Sequence, residues 1–317
     1  MRGSTYYQVQ SLYEQSGINQ IGTSKHAAKD AAREGGARTW QEMGRQMGIH
    51  SYGTADAYRE VWRGVLDHAK QEHGVKDVER LTPEVVRSYL QGRIEQGVAH
   101  ASFAKESAAC GKLEQALNRY SEAHGRGNSY DFRGAIAEAR AEARDLQRYE
   151  GSRAYDRPAE LVAAVSNRDH QIAAAVQLES GSRIHEASLI KAEQLQGYKA
   201  DPVTGDQRGV IEYQGKGGKE GEHLVSPATY QAVEQIIQER GEFRVDKDSY
   251  RDSLAAAAAT TGQEYAGNGS HGLRWNYAQE RCSVLQEHHG LTYDQALLQV
   301  SAEMGHERAD ITEHYLR

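Results

Sequence analysis

Apolar positions recur with a helical period over most of this chain. Tyr58, Val61, Trp62, Val65, Leu66 and Ala69 fall at i, i+3, i+4, i+7, i+8 and i+11, one broad apolar stripe. Thr82-Pro83-Glu84 supplies an N-cap and a proline for the first turn of a further helix, whose stripe is Val86, Tyr89, Leu90 and Ile94. Leu113, Ala116, Leu117 and Tyr120 form another. Residues 36–125 are therefore predicted to pack as a small helical domain. Tyr58, Trp62, Tyr89 and Tyr120 belong to its core and are not a platform for stacking bases.

Residues 1–35 are expected to form an N-terminal arm or extension. It contains Tyr6, Tyr7, Leu12 and Tyr13, then a helix on which Lys25, Lys29 and Arg33 recur every four residues. Such a stripe reads first as a solvated face, with contact to a phosphate backbone as the sharper alternative. After the break at Gly125-Arg126-Gly127-Asn128-Ser129, residues 126–154 predict a linker helix. On it Arg140, Arg144 and Arg148 align, with Glu138 and Glu142 close enough to pair with some of them.

A second domain is expected over residues 155–317. Leu161, Val162 and Val165, then Ile172, Ala175, Val176 and Leu178, predict two buried helices leading into Glu179-Ser180-Gly181-Ser182-Arg183-Ile184-His185-Glu186-Ala187, followed by an apolar helix through Leu189 and Ile190. Gly209–Tyr213 and Glu222–Val225 read as two short strands joined by the glycine-rich turn 215–221. That turn lacks Gly-x-x-x-x-Gly-Lys-Ser/Thr, so it is not a nucleotide loop. Ser226-Pro227 and Thr292 open later helices, and His288-His289 sits at a helix end, where imidazoles meet the negative pole. The fold class is thus mainly α with a small antiparallel β-hairpin, in two domains.

Composition narrows the chemistry. The 317 residues carry a net charge of −7, which argues against a protein that coats nucleic acid with a generally basic surface. It leaves open a basic face of limited extent. No apolar run approaches the ~18 residues that span a bilayer, and no apolar leader follows Met1. Cys110 and Cys282 are far apart, which indicates neither a disulfide framework nor a zinc site and fits a reducing cytoplasm. No cofactor is expected.

The chemistry concentrates near the C-terminus, in His271-Gly272-Leu273-Arg274, Met304-Gly305-His306 and Thr312-Glu313-His314-Tyr315. A His and an Arg three residues apart at a helix start share a face and can reach one anion, and arginine's planar fork matches phosphate oxygens. A phenol is a poor nucleophile at neutral pH, since phenols titrate near ~10, and it needs adjacent positive charge and a fixed position. The cluster therefore points to phosphoryl transfer through a phosphotyrosine.

The order of these boxes resembles the tyrosine recombinase (phage-integrase) family, which places a tyrosine nine residues after its Gly-His pair, as Tyr315 follows His306. On this resemblance Arg183 is the first catalytic arginine and Glu186 supports it. Lys216, in Gly215-Lys216-Gly217, matches the hairpin lysine, with Lys219 as the fallback; His271, Arg274, His306 and Tyr315 complete the set. The resemblance implies a two-domain DNA clamp, a helical core-binding domain plus a mixed α/β catalytic domain, with the linker helix crossing the duplex. It implies double-stranded DNA with an inverted-repeat core site, a homotetramer on DNA, accessory DNA-bending proteins, and strand exchange without ATP or metal. The alternatives are a telomere resolvase, a type IB topoisomerase-like enzyme, and a non-cleaving DNA-binding relative. With only Leu316 and Arg317 after Tyr315, the tyrosine segment is expected to be loosely anchored and the protein monomeric without DNA. Assembly would then use the N-terminal residues Tyr6, Tyr7, Leu12 and Tyr13.

Overall fold

A computed structural model describes residues 1, 3–215, 220–306 and 308–317, with nothing said of the Gln41 side chain. The chain divides into two compact units, Met1–Tyr149 and Glu150–Arg317. Among the described residues, no helix is long and apolar enough to cross a membrane.

The first unit is helical. The striped segments become the helices Tyr52–His73, Pro83–Glu95 and His100–Ala123, with Thr82 capping the second through the N–H of Val85. Their inward faces meet in a core that includes Trp62, Leu66, Leu90, Phe103 and Leu117, all essentially inaccessible to solvent. The Trp62 indole N–H is satisfied by the carbonyl of Ala109 at 2.8 Å, so the ring is buried without an orphaned donor.

Two expectations for this unit are corrected. Residues 5–15 form a helix, Thr5–Gln15, that packs into the same core: Leu12 and Tyr13 are buried, while Tyr6 and Tyr7 remain exposed. The buried amide of Gln8 ties this helix to the following elements, donating to Lys76 O and accepting from Val78 N–H, both at 2.9 Å. Leu12 and Tyr13 cannot therefore present an assembly surface. The helix Arg133–Glu142 also packs here, with Ile136 and Ala139 buried. Its Glu138 and Glu142 pair with Arg87 of the helix Pro83–Glu95, not with the neighbouring arginines, because Arg140 turns inward to the hydroxyl of Ser107 at 3.0 Å.

In the second unit the helices Pro158–Ala163 and Arg168–Ser180 precede the short helix Ile184–Ala187. The chain then turns into a strand, Leu189–Lys191, which pairs antiparallel with Glu242–Arg244. This corrects the helix expected through Leu189 and Ile190. A short apolar run is equally compatible with either element, and here the distant partner strand decides. The hairpin belongs to a three-stranded antiparallel sheet in sequence order, Leu195–Ala200, Gln207–Gln214 and Glu220–Val225, with Ile211 opposite His223 and Tyr213 opposite Gly221.

Helices Pro227–Arg240, Lys247–Thr261, His271–Glu287, Tyr293–Glu303 and Ala309–Glu313 complete the unit. Helix His271–Glu287 runs between two apolar clusters. Leu273 packs with Leu161, Tyr230 and Leu254, whereas Trp275 and Ala278 pack with Val300, Met304 and Tyr315. Residue 274 lies between these two attachments and is enclosed by them.

Candidate active site

Arg274 has no solvent exposure. A guanidinium buried this deeply must find acceptors, because isolated buried charge is costly. Its Nη1 donates to the carbonyl of Gly181, and its Nη2 to the carbonyl of Met304 at 2.7 Å. Nη2 also lies 2.8 Å from Nε2 of His306. A guanidinium only donates, so this imidazole nitrogen accepts and the ring proton sits on Nδ1, 2.7 Å from Thr312 Oγ1. Thr312 is buried and receives a second bond from Ser301 Oγ at 2.6 Å.

Two glycines make this arrangement sterically accessible. Gly181 ends the helix Arg168–Ser180 at φ 65°, and a Cβ there would lie 2.4 Å from the Tyr277 ring. Gly305 has φ 65°, and a Cβ there would lie 2.5 Å from the Tyr213 hydroxyl. The Gly-His pair is thus a tight left-handed turn that delivers His306 to Arg274.

No carboxylate is ion-paired with Arg274 among the described residues. The contrast lies two turns along the same helix, where buried Arg281 meets Asp201 at 2.8 Å and Glu303 at 2.7 Å. One buried arginine is neutralised by its own fold. The other holds its charge against carbonyls, an imidazole and an aromatic face, with its carbon Cζ 5.8 Å from the centroid of Tyr315.

Tyr315 is 9% exposed, its ring tilted against Trp275 and His306 at centroid distances of 5.3 and 5.5 Å. Its hydroxyl lies 3.0 Å from Nε2 of His271. Burial, then the positive charges of Arg274, Arg153 and Arg183, push the His271 pKa down to about 4. The ring is therefore neutral at pH 7, and in its Nδ1–H tautomer Nε2 accepts the phenolic hydrogen.

Arg183 caps the short helix Ile184–Ala187, two residues beyond the glycine that binds Arg274. Glu186 grips it twice: Oε2 accepts the Arg183 backbone N–H at 2.7 Å, and Oε1 accepts Nη1 at 3.0 Å. Burial disfavours the ionised carboxyl, but hydrogen bonds from His223 and the Arg183 backbone outweigh it and hold Glu186 below the usual carboxylate range. His271, Arg274, His306 and Tyr315 are thus joined by direct contacts. Arg183 adjoins them through the Gly181–Arg183 turn, and its charge acts on both His271 and Arg274. Lys216 and Lys219 lie outside the described residues.

Sequence reading missed Thr312 and His223. Thr312 has no local signal, since its role comes from the fold bringing it to His306. His223 shares a strand face with buried Val225, two residues on, so its inward position could have been read from the period of two.

No family model matches this sequence, and no curated protein matches it. Its structure is similar to that of the XerH site-specific recombinase bound to palindromic difH substrate in a post-cleavage complex: TM-score 0.62 and 11% identity, covering 98% of this chain and 91% of that one. It is also similar to the Tn1549 transposon integrase in complex with a circular intermediate DNA: TM-score 0.57 and 12% identity, covering 87% of this chain and 93% of that one. The chain shares the fold of these two proteins, mainly helical with small antiparallel sheets.

Proposed function

We propose that this chain is a site-specific DNA recombinase of the tyrosine type, which cleaves and rejoins DNA strands through a 3′-phosphotyrosine intermediate. The observation that carries this reading is a tyrosine hydroxyl held 3.0 Å from a histidine nitrogen, beside a fully buried arginine that meets no carboxylate among the described residues. A buried cation without a counter-charge favours an anionic ligand, and a phosphodiester supplies one.

In this mechanism Arg183 and Arg274 hold the non-bridging oxygens of the scissile phosphate and stabilise the charge of the transition state. His271 receives the Tyr315 proton as the phenolic oxygen attacks phosphorus. The bond to the 5′-oxygen breaks, and Lys216 protonates that leaving oxygen, with Lys219 as the fallback. In its other tautomer, with Nε2 protonated and the Thr312 hydroxyl donating to Nδ1, His306 donates to the phosphate while Arg274 Nη2 turns from the ring to a phosphate oxygen. The phosphodiester energy stays in the protein–DNA bond, so rejoining by a 5′-hydroxyl needs neither ATP nor metal. The partner is double-stranded DNA with an inverted-repeat core site, engaged by a homotetramer with accessory DNA-bending proteins, in the cytoplasm. The DNA in the XerH and Tn1549 integrase structures supports that choice of partner.

The test is covalent capture. A nicked duplex built from inverted repeats flanking the gene should give a protein–DNA adduct on denaturing gels with the wild type, and none with Tyr315→Phe, which should still bind the duplex. An adduct persisting in Tyr315→Phe would reject Tyr315 as the nucleophile, and no adduct in the wild type would reject the reaction.

A further inference from the structure

The mechanism above leaves one buried histidine unused. His223 lies on the strand Glu220–Val225, 2% exposed, and its ring stacks on that of Tyr213 with centroids 4.1 Å apart and planes at 18°. Its Nε2 lies 3.2 Å from Oε2 of Glu186. An ionised carboxylate only accepts, so Nε2 carries the proton and donates. The other ring nitrogen, Nδ1, is enclosed and has no partner among the described residues. Protonating it would bury an unsatisfied N–H, so the ring is held in a single neutral tautomer.

Glu186 therefore collects three bonds: one from His223, one from the Arg183 backbone and one from the Arg183 guanidinium. The Arg183 side chain is 29% exposed, so Glu186 carries much of its orientation. Tyr213, under the His223 ring, places its hydroxyl against Gly305 in the turn that presents His306. The strands Gln207–Gln214 and Glu220–Val225 are thus bonded to the cap of one site arginine and packed against the turn of a site histidine.

We propose that His223 is a positioning residue for strand cleavage: its Nε2–H fixes the Glu186 carboxylate, and through it the direction of the Arg183 guanidinium. The inference rests on the reading of this site as a phosphoryl-transfer centre. Without the His223 bond, Oε2 keeps only the backbone contact, the carboxylate gains freedom to rotate, and Arg183 loses its fixed direction.

The experiment compares His223→Leu, which fills the space without donating, with His223→Gln, whose amide nitrogen reaches toward the Nε2 position. Duplex affinity is measured for each in a Tyr315→Phe background, and single-turnover adduct formation with Tyr315 present. Orienting partners of this kind are worth about 10–100-fold, so His223→Leu should slow adduct formation by that factor with affinity within about threefold, and His223→Gln should recover to within about threefold of wild type. Equal rates in the two variants, or a wild-type rate in His223→Leu, would overturn the proposal.

A second readout needs no catalysis. In the full-length protein with isotope-labelled arginine, NMR reports rotation about the Arg183 Nε–Cζ bond, expected to be slow in wild type and His223→Gln and fast in His223→Leu. Unchanged rotation in His223→Leu would also overturn it. If the wild type captures no DNA, the functional reading fails, and this NMR comparison alone decides whether His223 orders Arg183. If His223→Leu does not fold by circular dichroism, His223→Asn, whose shorter amide stops short of Glu186, takes its place in both assays with the same expected outcomes.

Discussion

Two arginines on one helix, both buried, should respond oppositely to replacement by methionine. Arg281→Met removes the partner of Asp201 and Glu303, leaving two enclosed carboxylates with no cation at 2.8 and 2.7 Å. Breaking a buried pair in this way costs about 3–5 kcal/mol. Arg274→Met removes the donor to the carbonyls of Gly181 and Met304, at about 1–3 kcal/mol each, and the bond to His306 Nε2. Against that, the fold no longer bears the several kcal/mol of burying an uncompensated guanidinium, so the net change should stay within about 2 kcal/mol of zero. In a unit of this size, about 1 kcal/mol moves the unfolding midpoint by roughly 2–4 °C. Arg281→Met should therefore lower the midpoint by about 6–20 °C, and Arg274→Met by less than about 8 °C in either direction. Covalent capture should reverse the ranking: Arg274→Met should lose about a thousandfold in adduct formation, as expected for removing a transition-state charge partner, while Arg281→Met should lose activity only as far as it unfolds. Circular-dichroism melts and single-turnover gels on the same preparations decide it. If Arg274→Met melts as low as Arg281→Met, Arg274 is a structural cation and the argument from its missing counter-charge is wrong.

Further outcomes follow from the same geometry. Inorganic phosphate or sulfate at ten times its Kd should stabilise the wild type by about 1.4 kcal/mol, raising its melting midpoint, and should have no such effect on Arg274→Met; equal stabilisation of both would place the anion elsewhere. The folded-state pKa of His271 lies near 4, below its unfolded value, so its stabilising contribution is complete above pH ~6.5 and is lost as pH falls toward 4; in urea titrations the wild type should lose stability relative to His271→Asn across that window, and the difference between the two should stay constant above it. Gly305→Ala should cost about 1–2 kcal/mol of left-handed backbone strain plus the clash with Tyr213, and adding Tyr213→Phe should recover only the clash, so full recovery in the double variant would show that backbone conformation is not limiting. Lys216→Ala should slow cleavage of a normal phosphodiester and be rescued by a 5′-bridging sulfur, which leaves without a proton, whereas Lys219→Ala should mainly weaken binding; failure of rescue would remove Lys216 as the acid.

Local order was legible in the chain because it depends on neighbours a few residues away. The stripes around Trp62 and Leu90, the Thr82 and Ser226 caps, the hairpin and the turn at Glu287–Gly290 are all properties of short windows, and the structure has them. The spacing of His271 and Arg274 likewise put both on the first turn of one helix. What no window contains is the partner of a group that meets the rest of the chain only in the fold. Leu189–Lys191 became a strand because Glu242–Arg244 lies beside it, and Thr5–Gln15 became core because the Leu12 and Tyr13 side chains found other helices. Only the tertiary structure decided that Arg281 meets two carboxylates while Arg274, on the same helix, meets none among the described residues, and that His223 bonds the carboxylate that grips Arg183. Sequence spacing determines which side chains share a face; burial and the counter-charge each one meets are set by residues tens of positions away, brought near only when the core closes.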